Sequence, residues 1–162
     1  MTEKQAQWIV ICEVTQVFNS YFRTLDEKNF EASHLQLIFT PDAEVIRPNG
    51  AVTIGPEQIG SSHKESFARF RGTQHLLTGH DVNIDGEKAI VRANLVAIHL
   101  WANGQPDINS AENYFLAGGV ITAQLLQSAQ GWRISRIENH VIWRGGSFGS
   151  MLQTGNKVAC VG

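Results

Sequence analysis

The hydrophobic period of this 162-residue chain changes once, and that change restricts its fold more than any other feature. Before Phe70 apolar residues recur at intervals of three and four; after Thr73 the chain runs in long extended segments divided by turn residues. From Trp8 to Asp26 the apolar positions are Trp8, Ile11, Cys12, Phe18, Phe22 and Leu25, with Val14, Val17 and Tyr21 widening the stripe. Such a stripe predicts one helix with a single buried face. A second helix is expected over Asn29–Phe39, capped by Asn29, with Phe30, Leu35, Ile38 and Phe39 as its apolar set. Thr40-Pro41-Asp42 should end it, since proline neither continues a helix nor favours one in the residue before it. Short strands are expected at Ala43–Arg47 and Ala51–Ile54, around the turn Pro48-Asn49-Gly50. Gly55-Pro56-Glu57 opens a third helix, along which Ile59, His63, Phe67 and Phe70 follow at helical spacing.

Four long strands then fill Thr73–Ile84, Lys88–Trp101, Glu112–Ser128 and Trp132–Trp143. Asp85-Gly86 and Gln130-Gly131 read as hairpin turns, and Ala102–Ala111 as a longer loop. The order α-α-β-β-α-β-β-β-β predicts an α+β domain over residues 1–144: three helices packed on a curved, mostly antiparallel sheet, with a pocket between them. Residues 145–162, rich in Gly and Ser and without periodicity, are expected to form a tail or a pocket lid.

Strand parity adds detail. In Lys88–Trp101 the odd positions, Ala89 to Ala97, are all apolar until His99 and Trp101, while Val96, Ile98 and Leu100 make the end of the even face apolar as well. Helices cover only one face of a sheet, so the other is expected to meet a second copy in a homodimer or homotrimer.

Composition excludes several classes. At 43 % apolar, 17 % charged and net charge −2, the chain offers no basic footprint for nucleic acid or anionic lipid. Cys12 and Cys160 lie near opposite ends without metal-ligand spacing, which fits free thiols in a reducing compartment. No segment approaches the ~20 apolar residues of a membrane span, and the N-terminus MTEKQAQW does not read as a secretory signal. A cytoplasmic location is the expectation.

Few residues carry candidate chemistry. Asp26 lies eighteen residues, or five turns at 3.6 per turn, after Trp8 and four after Phe22, so it shares the apolar direction of its helix. It either faces the interior or simply ends the helix. On the first long strand His75 shares a face with Thr73 and Leu77, and strict alternation puts His80 on the other. His99 belongs to the apolar face of its strand; His140 has no evident role, and His34 and His63 read as packing or solvated residues. No HExxH, CxxC, EF-hand, phosphate-loop or GxSxG pattern is present, so no metal or cofactor is expected. Gly118-Gly119 is expected to relieve crowding or bend a strand.

The element order, the segment Tyr21–Phe30, the stretch Phe39-Thr40-Pro41-Asp42-Ala43 and Gly131-Trp132-Arg133-Ile134 resemble the SnoaL-like branch of the nuclear transport factor 2-like superfamily. The resemblance covers about Gln5 to Arg144 and points to the scytalone dehydratase and lindane dehydrochlorinase type. It implies a cone-shaped domain around a pocket, with Asp26 and His75 as a catalytic pair and His99 as a further strand histidine. Phe22, Leu77, Trp101 and Phe115 are the expected pocket lining. Leu25 stands where that dehydratase has a tyrosine before its Asp, which leaves the substrate open. A carboxylate bonded to one ring nitrogen orients an imidazole and stabilises its cation, leaving the other nitrogen as a base. The implied function is a cofactor-independent lyase or isomerase acting on a hydrophobic ring or polyketide-like molecule. A ligand-binding protein or an association module with the same fold is the alternative.

Overall fold

The computed structural model describes residues 1–107 and 109–148. Helix α1 (Glu3–Glu27) opens on a capping box between Thr2 and Gln5 and closes at Lys28, whose left-handed backbone (φ 54°) turns the chain out of the helix. After α2 (Ala32–Leu35) come β1 (Phe39–Ile46), β2 (Val52–Ile54) and α3 (Pro56–Phe67). The long strands are β3 (Phe70–Asp85), β4 (Lys88–Trp101), β5 (Tyr114–Ser128) and β6 (Gly131–Gly146), with a single 3-10 turn at Ala111–Asn113. They form one curved, unclosed sheet in the order β2-β1-β6-β5-β4-β3, antiparallel except where β1 runs parallel to β6. The α+β architecture of three helices on a mostly antiparallel sheet is the expected one. No helix among the described residues is long and apolar enough to cross a membrane.

Three local expectations are corrected. The second helix is a single turn, Glu31 rather than Asn29 stands at its N-cap, and Phe39 already belongs to β1. Backbone pairing decides this: Ile134 N–H donates to the Ile38 carbonyl at 2.8 Å, and Phe39 stands opposite Ile134. Pro41 is tolerated inside β1 because the ladder with β6 is interrupted between Phe39 and Glu44. The apolar stripe of α1 is buried from Val14 onward, whereas Trp8 is 58 % exposed and Cys12 is exposed too. Finally, β6 continues through Gly145 and Gly146, so the strand overruns residue 144. The remainder of the expected tail or lid, from residue 149, lies outside the described residues.

The core lies between α1 and the inner sheet face. Phe18 and Val14 of α1 are fully buried, and every odd residue of β4 from Ala89 to Trp101 is buried as the parity predicts. On the outer face the Trp143 indole lies across Gly118, where β5 and β6 shift register; a Cβ there would fall inside the indole ring. Gly118 thus relieves crowding. Gly118→Ala should cost ~1–3 kcal/mol, the usual range for overpacking, and a second change, Trp143→Ala, should recover most of that loss in urea unfolding. Equal cost with and without Trp143 would dissociate the glycine from the indole.

Candidate active site

Asp26 occupies the last turn of α1, where the helix dipole disfavours a carboxylate and no basic residue helps. Compensation comes from β3, which forms the edge of the sheet and so has backbone groups without a strand partner. The His75 backbone N–H donates to Asp26 Oδ2 at 3.0 Å, the Thr73 hydroxyl donates to Oδ1 at 2.9 Å, and His75 Nδ1–H donates to Oδ1 at 2.6 Å. Burial, the largest influence on Asp26, pushes its pKa up; the His75 and Thr73 hydrogen bonds and the His75 charge together outweigh it, and the net direction is down. The carboxylate is therefore held charged and fixed in position. With Nδ1 committed as a donor to Asp26, Nε2 is the remaining ring nitrogen of His75, and it has no hydrogen bond among the described residues.

Aromatic groups enclose the imidazole. The side chain of His75 is 6 % exposed against 25 % for Asp26. Phe22 lies 5.9 Å away, Phe67 stacks at 6.3 Å, and His99 meets the ring edge-on at 5.6 Å. His99 in turn stacks flat on Phe115 at 4.0 Å, and its buried Nδ1 has no hydrogen-bond partner among the described residues. Burial first, and the nearby His75 charge second, lower the His99 pKa to about 4, against weaker opposing pulls from the Phe115 backbone and Asp26. His99 is thus a neutral imidazole beside His75 at neutral pH.

The expected lining residues divide into two groups. Phe22 and Leu77 border a cleft of about 360 Å³ that touches both Asp26 and His75 and is also lined by Asn19, Arg23, Glu27 and His80. Trp101 and Phe115 instead pack with Phe70 and Phe148 on the His99 side, where the Trp101 indole N–H donates to the Ser147 carbonyl at 2.9 Å. The expectation that His80 faces away from His75 is corrected. A bulge between Thr78 and Asp81, with Gly79 at φ 62°, breaks the alternation. His80 then turns to the cleft and bonds Asn19 Oδ1 at 2.9 Å. His140 is exposed on the outer face. His34 packs through a 2.9 Å bond to Thr24. Sequence reasoning missed Thr73 as a partner of Asp26, although its place two residues before His75 on one strand face was the available signal. The set brings together a charged carboxylate, an imidazole oriented by it and a neutral imidazole in an aromatic enclosure, groups of the kind that can exchange protons with a ligand. Among the described residues no group of three or more His, Cys, Asp or Glu side chains is gathered as a metal-ligand set.

The model of a SnoaL-like domain matches residues 10–138. No curated protein matches the sequence. Among solved structures, a candidate scytalone dehydratase from Novosphingobium aromaticivorans is similar over 90 % of this chain and 97 % of its own, at 17 % identity and TM-score 0.73. A hexachlorocyclohexane dehydrochlorinase, LinA-type3, from Novosphingobium barchaimii is similar over 91 % and 96 %, at 13 % identity and TM-score 0.75. A nuclear transport factor 2-like superfamily protein from Salmonella enterica is similar over 93 % and 99 %, at 18 % identity and TM-score 0.68. At these identities the likeness concerns the fold.

Proposed function

The chain belongs to the SnoaL-like domain family, and from that premise we propose that it is a cofactor-independent lyase or isomerase in which His75 takes a proton from carbon while Asp26 orients it. The observation that carries this reading is the 2.6 Å bond from His75 Nδ1 to a carboxylate already fixed by two further donors. Nε2 accepts the proton of a C–H bond next to a carbonyl or a leaving group, and that electron pair becomes a new C=C bond. Return of the proton to a departing hydroxyl releases water. Departure of halide instead leaves the proton to pass from His75 to solvent, and return to a different carbon shifts the double bond. Asp26 stabilises the transient imidazolium. His99 can hold a substrate oxygen by hydrogen bonding, and the rings around His75 suit a hydrophobic ring or polyketide-like ligand.

The test is to incubate the chain in D₂O with scytalone, with hexachlorocyclohexane and with cyclic ketones bearing a β-hydroxyl. Water loss, chloride loss or deuterium entering the C–H position supports the reading. Ligands that bind without exchange or elimination would move the chain to the alternative, a small-ligand-binding protein.

The same fold reading includes self-association through the outer sheet face. Leu76, Val96, Gly118 and Trp143 stand side by side across β3–β6, with Leu76 and Trp143 45 % and 46 % exposed and Ile98 and Leu116 in the next row. A homodimer or homotrimer would cover this surface. Sedimentation velocity should show the assembly, and Trp143→Asp should shift it to monomer. Wild-type chain that remains monomeric at high concentration would remove the proposal.

A further inference from the structure

A second polar cluster forms where the end of β1 packs on α3, and the dyad makes no use of it. Arg47, the first residue after β1, has its backbone fixed by the turn to β2, with its N–H donating to the Ala51 carbonyl and its carbonyl accepting from Gly50 N–H, each at 2.9 Å. Its guanidinium reaches across to α3. One terminal nitrogen donates to Ser66 Oγ at 2.8 Å, and the other to Ser62 Oγ at 2.6 Å and His63 Nδ1 at 3.4 Å. Ser62 and Ser66 are four residues apart, so their hydroxyls project on one face of α3, either side of His63. A guanidinium only donates, so His63 Nδ1 is the acceptor and Nε2 carries the proton, which goes to the Tyr21 hydroxyl oxygen at 2.9 Å.

Counting donors against acceptors leaves the cluster one-sided. The hydroxyl protons of Ser62, Ser66 and Tyr21 and the remaining guanidinium N–H groups have no acceptor among the described residues, and Arg47 has no carboxylate within ion-pair distance there. A half-buried cation whose partners are all neutral acceptors is costly to leave uncompensated, and its remaining N–H groups, with the two serine hydroxyls, can donate to the oxygens of an anion. Arg47, Ser62 and Ser66 are each partly exposed.

We propose that Arg47, Ser62 and Ser66 form a binding site for a small oxyanion, a carboxylate or a phosphate group. The site is separate from the dyad: Phe67 contacts the rings of both His63 and His75, so one aromatic side chain stands between them. It does not depend on the lyase reading.

The test is to titrate the isotopically labelled full chain with inorganic phosphate and, separately, with acetate, holding ionic strength constant with chloride. Saturable NMR shifts are expected at Arg47, Ser62, His63 and Ser66, with the anion that saturates at lower concentration identifying the group preferred. Arg47→Gln should abolish them, and the double variant Ser62→Ala, Ser66→Ala should weaken binding at least several-fold while resonances elsewhere stay in place. Linear, non-saturating shifts with both anions would overturn the site, as would an isotherm unchanged in Arg47→Gln. If that variant does not fold, the serine pair decides: wild-type affinity without the two hydroxyls overturns the proposal.

Discussion

His75→Ala is expected to lower kcat/KM by about 10²–10⁴-fold on any substrate identified by the exchange assay, the range for losing a positioned general base. The folded structure should survive, because the His75 side chain fills space against Phe22 and Phe67 without anchoring the sheet, and its backbone pairing with Ala97 is unaffected. Asp26→Asn should lose much of the same factor by a different route. The amide retains the size of the carboxylate but not the charge that stabilises the imidazolium, and it can present a donor to Nδ1. A readout separate from turnover checks the mechanism. In the wild type the proton on Nδ1, whose nitrogen lies 2.6 Å from Asp26 Oδ1, should resonate far downfield, and Asp26→Asn should abolish that signal. Turnover indifferent to both substitutions would end the dyad's role, and the ligand-binding reading would replace it.

How much of this could be read beforehand depends on whether a feature is local. The period of α1 and the parity of β4 are local, and both carry through: β4 spans Lys88–Trp101 as expected, with His99 on its buried face. Helix phase gives Asp26 the apolar direction of α1 but leaves open whether it faces the interior or only ends the helix; the family resemblance alone points to His75 as its partner. The misassigned segment around Phe39 fails for a long-range reason. Ile38 and Phe39 are apolar in either conformation, and what makes them extended is a parallel pairing with β6 almost a hundred residues later. His80 fails because the bulge at Gly79, at positive φ, reverses the strand parity, and strict alternation carried past a strand glycine ignores the bulge it can mark. The Arg47 cluster was invisible for the same reason as the β1–β6 pairing: a loop arginine and two helix serines become one site only when β1 is laid on α3.

Acid should destabilise the fold well above the carboxylate range, and two buried histidines set the window. His63, enclosed by Tyr21, Phe30 and Phe67, has its pKa lowered from 6.5 to about 3, by burial first and then by the charges of Arg47 and His75. His99 is lowered from 6.5 to about 4, by burial first and then by His75. In the unfolded chain both rings bind protons as pH falls through 6.5; in the folded chain neither does until about pH 4 and below. The unfolded state therefore takes up the extra protons, and stability falls with decreasing pH between these limits. Two protons correspond to a slope approaching ~2.7 kcal/mol per pH unit near pH 5. Asp26, whose pKa is also lowered on folding, acts in the same direction at lower pH. Urea unfolding at pH 7.5, 6 and 5 should show this loss. His63→Gln removes one titrating ring while retaining an amide that can bond Tyr21, and should roughly halve the slope. A stability constant from pH 7.5 to 5, or a slope untouched by His63→Gln, would mean that His63 is not held neutral in the folded chain.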